Sequence, residues 1–98
     1  MVNFNDHFND LALFNEEMVK NLKDNNPILR SLALCLATKG FSEEFRVVIR
    51  EIKIDIERGS LLHEAMKPEI FGDRYVSAVK ARETRDGDYL KLFESFVC

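Results

Sequence analysis

The side chains able to do acid–base, nucleophilic or metal chemistry are few and scattered. The two histidines, His7 and His63, stand far apart with no companion cluster, whereas a catalytic base needs a nucleophile or an orienting partner held against it. No triad is spelled out. His63 comes three residues after Ser60, a candidate helix cap, and reads as an exposed first-turn residue rather than a catalyst. Cys35 lies within the apolar residues 32–37 and reads as a small buried hydrophobe. Cys98 is the last residue, and the two cysteines have neither disulfide-framework nor metal-ligand spacing. Glu83, Asp86 and Asp88 offer at most a weak surface cation site. An EF-hand loop requires oxygen ligands at alternate positions over twelve residues and a closing glutamate, which Asp86-Gly87-Asp88 lacks, so a turn is the better reading. Gly40, Gly59, Gly72 and Gly87 are each isolated at an inferred helix boundary and form no phosphate loop. This inventory implies no cofactor, no resident metal and no enzymatic activity.

Composition sets the frame for these residues. A chain of 98 residues should bury roughly two-thirds of its unfolded surface and support one core. With 46% hydrophobic and 32% charged residues it has the balance of an ordinary globule. The formal net charge of −3, with acids and bases interspersed, provides no basic stripe for a phosphate backbone, so no nucleic-acid partner is expected. No run approaches the ~20 apolar residues of a membrane span, and the start lacks the pattern of a signal peptide. A cytoplasmic location is the expectation.

Apolar spacing predicts helices throughout. Leu11, Phe14, Met18 and Leu22 recur at steps of three and four, with Asp6 or Asn9 as the N-cap and an end near Lys23. Residues 24–27 read as a turn in which Asn26 caps a second helix and Pro27 takes its first position. That helix runs to about Lys39, is closed by Gly40, and has a broad apolar arc containing Leu32, Cys35 and Leu36, which suggests the most central helix and places Leu32 and Leu36 in the core. Ser42 with Glu43 and Glu44 marks the next start. Residues 52–56 alternate like a strand, yet Phe45, Ile49, Ile52 and Ile56 keep helical steps and no turn residue interrupts residues 42–58, so one long helix is predicted. Ser60 is read as the cap of a short fourth helix over residues 61–66 that Pro68 shuts off. Gly72-Asp73 opens a fifth carrying Tyr75, Val76 and Val79, and a last one places Tyr89, Leu90, Phe93, Phe96 and Val97 on one face. The fold class is all-α, an antiparallel bundle of about six helices in a single domain, with residues 1–9 as a flexible start.

The third helix has two apolar faces. Phe45, Val48, Ile49, Ile52 and Ile56 share one side, and Val47 and Ile54 fall together on the other, flanked by Glu43, Arg50, Glu51 and Arg58. Either the helix is sandwiched and buries both stripes, or Val47, Ile54, Arg50, Glu51 and Arg58 form a contact for a partner, a second copy included. The charged residues 80–85 read most simply as a solvated helix end.

Residues 58–66, Arg-Gly-Ser-Leu-Leu-His-Glu-Ala-Met, followed by Pro68 and Phe71, resemble a recurring stretch of the inner-membrane platform proteins of bacterial type II secretion and type IV pilus machines. Residues 75–83 are similar to that family's passage ending in Gly-Glu, with Glu83 in the place of the glutamate. Upstream, Leu22, Pro27, Ile28, Leu29 and Leu32 keep the frame of the family's opening helix and turn. Asn25 stands where glycine is usual and still tolerates a left-handed backbone. Asn26 for an apolar residue, Arg82 for the glycine before Glu83, and Gly87 one residue late are departures. The resemblance covers roughly Phe14 to Phe96. It implies a six-helix bundle, the first of two related cytoplasmic domains in a protein with membrane spans expected after residue 98. It further implies a non-catalytic docking role at the bacterial inner membrane, with the assembly ATPase and other inner-membrane subunits as partners. The divergent turns favour a pilus system over secretion. The competing reading is a free-standing helical adaptor with no membrane role.

Overall fold

The computed structural model describes residues 8–97, so Asp6, His7 and Cys98 lie outside the described residues. Among the described residues seven helices follow one another: α1 (Phe8–Lys23), α2 (Ile28–Ala37), α3 (Glu43–Glu57), α4 (Leu62–Ala65), α5 (Pro68–Phe71), α6 (Asp73–Arg85) and α7 (Tyr89–Val97). No strand occurs among the described residues. Phe8 and Asn9 belong to α1, so the expected flexible start does not include them and Asn9 is not the N-cap, while residues 1–7 lie outside the described residues.

Local chemistry explains most of the boundaries. After α1, Asn25 takes a left-handed backbone with φ 67°, while the amides of Asn25 and Asn26 return to the carbonyls of Leu22 and Asn21. These bonds satisfy carbonyls that a helix end leaves orphaned. Asn26 does not cap α2, contrary to expectation: its side-chain amide donates to the Asn21 carbonyl at 3.0 Å, and Pro27 is the N-cap. The second helix ends at Ala37, just short of the expected Lys39, where Thr38 turns extended, and Arg46 from α3 donates to the carbonyls of Leu36 and Thr38. Ser42 caps α3 as predicted, its Oγ accepting the Phe45 N–H at 3.2 Å. The alternation of residues 52–56 is overridden by the helical period, and α3 is continuous.

The middle of the chain departs from the six-helix expectation. Pro68 does not simply end a helix but occupies the first turn of α5, where its missing N–H has no consequence. The predicted segment 61–66 corresponds to α4 alone, and α5 is an additional single-turn helix beyond it, too short for a 3.6-residue period to be visible in the sequence.

The packing closes a circuit in which α1 touches α2 and α7, α2 touches α3, α3 touches α4, α4 and α5 touch α6, and α6 touches α7. At its centre lies Phe14, fully buried, with ring centroids 5.8 Å from Phe45, 6.1 Å from Phe71 and 5.8 Å from Phe93. Edge-to-face and tilted contacts of this kind add to the burial of each ring. The central helix is therefore α1 and not α2. Leu32 and Cys35 are fully buried, whereas Leu36 only packs against the core's margin. On α7 the buried pair is Leu92 and Phe93, and Val97 is 45% exposed, so the apolar face runs through Leu92 and leaves out the expected Val97.

Candidate functional site

One heavily engaged polar side chain is Glu83, in the last turn of α6. Its side chain is 2% exposed. Oε2 accepts the Leu62 N–H at 2.8 Å and the Tyr89 hydroxyl at 2.5 Å. Oε1 accepts the His63 N–H at 2.8 Å and lies 2.7 Å from Nδ1 of His63. Helix α4 has only four residues and could not hold itself together. Its first amides are orphan donors by geometry, and the carboxylate reaching over from α6 satisfies two of them. Glu64 accepts the Leu61 N–H at 2.8 Å and completes the cap. Ser60, the sequence-level candidate, does not cap this helix; Leu61 is the N-cap residue.

Electrostatics follow the same geometry. Burial by itself would raise the pKa of Glu83, but hydrogen bonds from Tyr89, from the His63 backbone and ring, and from the Leu62 backbone outweigh it and hold the carboxyl below its usual range. Since the carboxylate only accepts, Nδ1 of His63 carries a proton. Burial and the neighbouring carboxylate push the Tyr89 hydroxyl above its ordinary value. A carboxylate with four donors is a poor base. This arrangement fastens α4 and α7 to α6, and His63 is a half-buried member of it rather than the exposed first-turn residue the sequence suggested.

Glu83, Asp86 and Asp88 are not brought together as ion ligands. While Glu83 faces inward, one Asp86 oxygen accepts the Asp88 N–H at 3.0 Å and the other pairs with Arg82 at 3.0 Å. Asp88 accepts the Lys91 N–H at 3.1 Å at the start of α7. These bonds make residues 86–88 the turn that the sequence suggested, with Gly87 at φ 69°. Among the described residues no group of three His, Cys, Asp or Glu side chains gathers as a metal site. Cys35 is buried, and desolvation, followed by the charge of Glu17, pushes its thiol up to about 12, which removes it as a nucleophile.

On α3, Phe45, Ile49 and Ile52 are buried, while Val47 is 44% and Ile54 39% exposed. The sandwiched alternative is thereby excluded within this chain. Arg50, Glu51 and Arg58 are exposed around the two apolar residues, and Glu51 pairs with Lys67 at 3.1 Å. None of the described helices is long and apolar enough to cross a membrane.

The arrangement defines an all-helical domain held by caps and a phenylalanine cluster. Over 79 residues it is 33% identical to the type IV pilus assembly protein PilC of Thermus thermophilus, a stretch that covers 80% of this chain and 19% of that protein. The chain spans about a fifth of the length of the curated relative it matches. No protein-family model matches it.

Proposed function

We propose that the chain is a cytoplasmic docking domain of an inner-membrane assembly platform, serving type IV pilus biogenesis in preference to type II secretion. The carrying observation is the 79-residue similarity to a pilus assembly protein, which extends over most of this chain. A second observation supports it. The two stretches in which the family resemblance is densest, residues 58–66 and 75–83, meet in space through Glu83 and the Leu62 and His63 amides. The resemblance thus coincides with a tertiary contact and is more than a run of caps.

In this reading the domain performs no bond chemistry. It presents a rigid helical surface to the assembly ATPase and to inner-membrane subunits, and membrane spans elsewhere in the full-length protein hold it at the cytoplasmic face. Deleting the gene in its native host tests the proposal. Loss of surface pili, restored by the natural gene in trans, is the expected result, and loss of type II secretion with normal pili would move the domain to the sister system. Normal pili and normal secretion would overturn the platform reading in favour of a free-standing adaptor.

A further inference from the structure

Helices α4 and α7 each pack against α6 and not broadly against each other. A polar connection between them runs through Glu83. Its Oε2 accepts both the Leu62 N–H of α4 and the Tyr89 hydroxyl of α7, while Oε1 takes the amide and the ring N–H of His63. Two helices without a broad common interface thus share one oxygen atom.

The bonds on that carboxylate do not act independently. The Glu83 side chain is 2% exposed, and a carboxylate so far from water carries its charge at low cost only while its donors stay in place. If α4 lifts, both backbone amides and the His63 ring leave together, and of the four described donors the Tyr89 hydroxyl remains. One donor does not compensate a buried charge. The carboxylate then turns toward water and is lost to Tyr89 as an acceptor. The effect also runs the other way, because a carboxylate deprived of the Tyr89 hydroxyl is more easily drawn out and leaves the two amides of α4 unsatisfied.

The construction of α4 suits it to such a response. Four residues are too few for a helix to persist alone. Gly59, before it, has φ 105°, and a Cβ there would meet nothing within 4 Å, so the chain leaving α3 is not wedged by packing at that point. The buried side chains of Leu62 and Ala65 give the helix a seat to return to.

We propose that Glu83 is a two-sided latch that couples the seating of α4 to that of the first turn of α7, so that a partner engaging either helix changes the stability of the other. Such coupling is reciprocal by thermodynamic necessity. The geometry of Glu83 carries this inference, independently of the platform reading.

Amide hydrogen exchange of the 98-residue chain, followed residue by residue by NMR, tests it. The reporters in α4 are the amides of Ala65 and Met66, which bond to the carbonyls of Leu61 and Leu62. Met18 and Ile49, fully buried on α1 and α3, report global unfolding. In the parent, Ala65 and Met66 should exchange at least about tenfold faster than Met18 and Ile49, because α4 opens by itself. Tyr89→Phe removes only a hydroxyl of α7. If the open state of α4 has already given up that hydroxyl bond, the substitution destabilises the closed state alone, and Ala65 and Met66 should exchange at least about fivefold faster than in the parent. In a Glu83→Met chain, which has no acceptor to share, the same substitution should leave the α4 rates unchanged. Exchange of Ala65 and Met66 as slow as the reference in the parent would overturn the proposal. So would Tyr89→Phe speeding the reference amides and not those of α4, or speeding α4 equally in the Glu83→Met chain.

Discussion

Oε1 of Glu83 lies 2.7 Å from Nδ1 of His63, across 20 residues of chain, and the same oxygen accepts the His63 backbone N–H. Ring and amide of one residue are held by a single carboxylate atom. The other oxygen holds Leu62 and Tyr89, so three helices, α4, α6 and α7, converge on one side chain. For a single-turn helix such as α4, this contact replaces the stability that length would otherwise provide.

Acid should weaken the fold through that contact. The folded-state pKa of Glu83 is depressed below 4.5, so its stabilisation is fully present above about pH 4.5 and is lost as pH falls through the folded value. Asp86, also lowered, chiefly by the Asp88 N–H, titrates in the same direction. Urea denaturation at pH 7 and at about pH 3 should show lower stability at the acid end. A Glu83→Gln variant should show a smaller loss over the same interval, and an identical loss would remove Glu83 as a source of the acid sensitivity.

The two serines that mark helix starts in the sequence should behave differently. Ser42 accepts the Phe45 N–H and donates to Oδ2 of Asp10 at 2.7 Å, joining α1 to α3. Ser42→Ala should cost about 0.5–2 kcal/mol. Ser60→Ala should stay within about 0.5 kcal/mol of the parent, because Leu61 and not the half-buried Ser60 is the N-cap of α4. Equal losses in thermal denaturation would mean that Ser60 caps α4 after all.

Core truncations should rank by burial. Phe14→Ala, at the centre of the aromatic cluster, should cost about 3–5 kcal/mol, and Leu32→Ala about 2–5 kcal/mol. Leu36→Ala should cost clearly less than Leu32→Ala, since Leu36 is only half-buried. Chemical denaturation midpoints check the order, and a Leu36 variant as unstable as the Leu32 variant would place α2 deeper in the core than described.

Much of this fold was legible in the sequence because its signals are local. The steps from Phe45 to Ile56, the Ser42 cap and the left-handed Asn25 each depend on residues within one or two turns of one another. Where the readings of Ser60, His63 and the central helix failed, the deciding partner is distant in sequence. Ser60 looks like a cap until Glu83 arrives from α6. Pro68 looks like a stop because a one-turn helix has no period to read. The dominance of Phe14 appears only when α3, α5 and α7 bring their rings to it. Glu83 itself was legible as part of the resemblance, and its spacing from Asp86 and Asp88 drew attention toward an ion. Nothing local says that a carboxylate in a charged stretch turns inward to two amides 20 and 21 residues upstream. The exposure of Val47 and Ile54 likewise needed the packing of α3, since the pattern alone fits a sandwiched helix equally well.

The most direct test is the unfolding free energy of Glu83→Gln at pH 7, measured by urea denaturation against the parent. Glutamine is nearly isosteric, but only one of its terminal atoms accepts, while Leu62 and His63 each direct a backbone N–H at a different oxygen of Glu83. Whichever way the amide is turned, its NH2 opposes one of those donors. A loss of about 1–3 kcal/mol is predicted, the cost of leaving a buried donor unsatisfied. A variant within about 0.5 kcal/mol of the parent would contradict the claim that this carboxylate holds α4 in place.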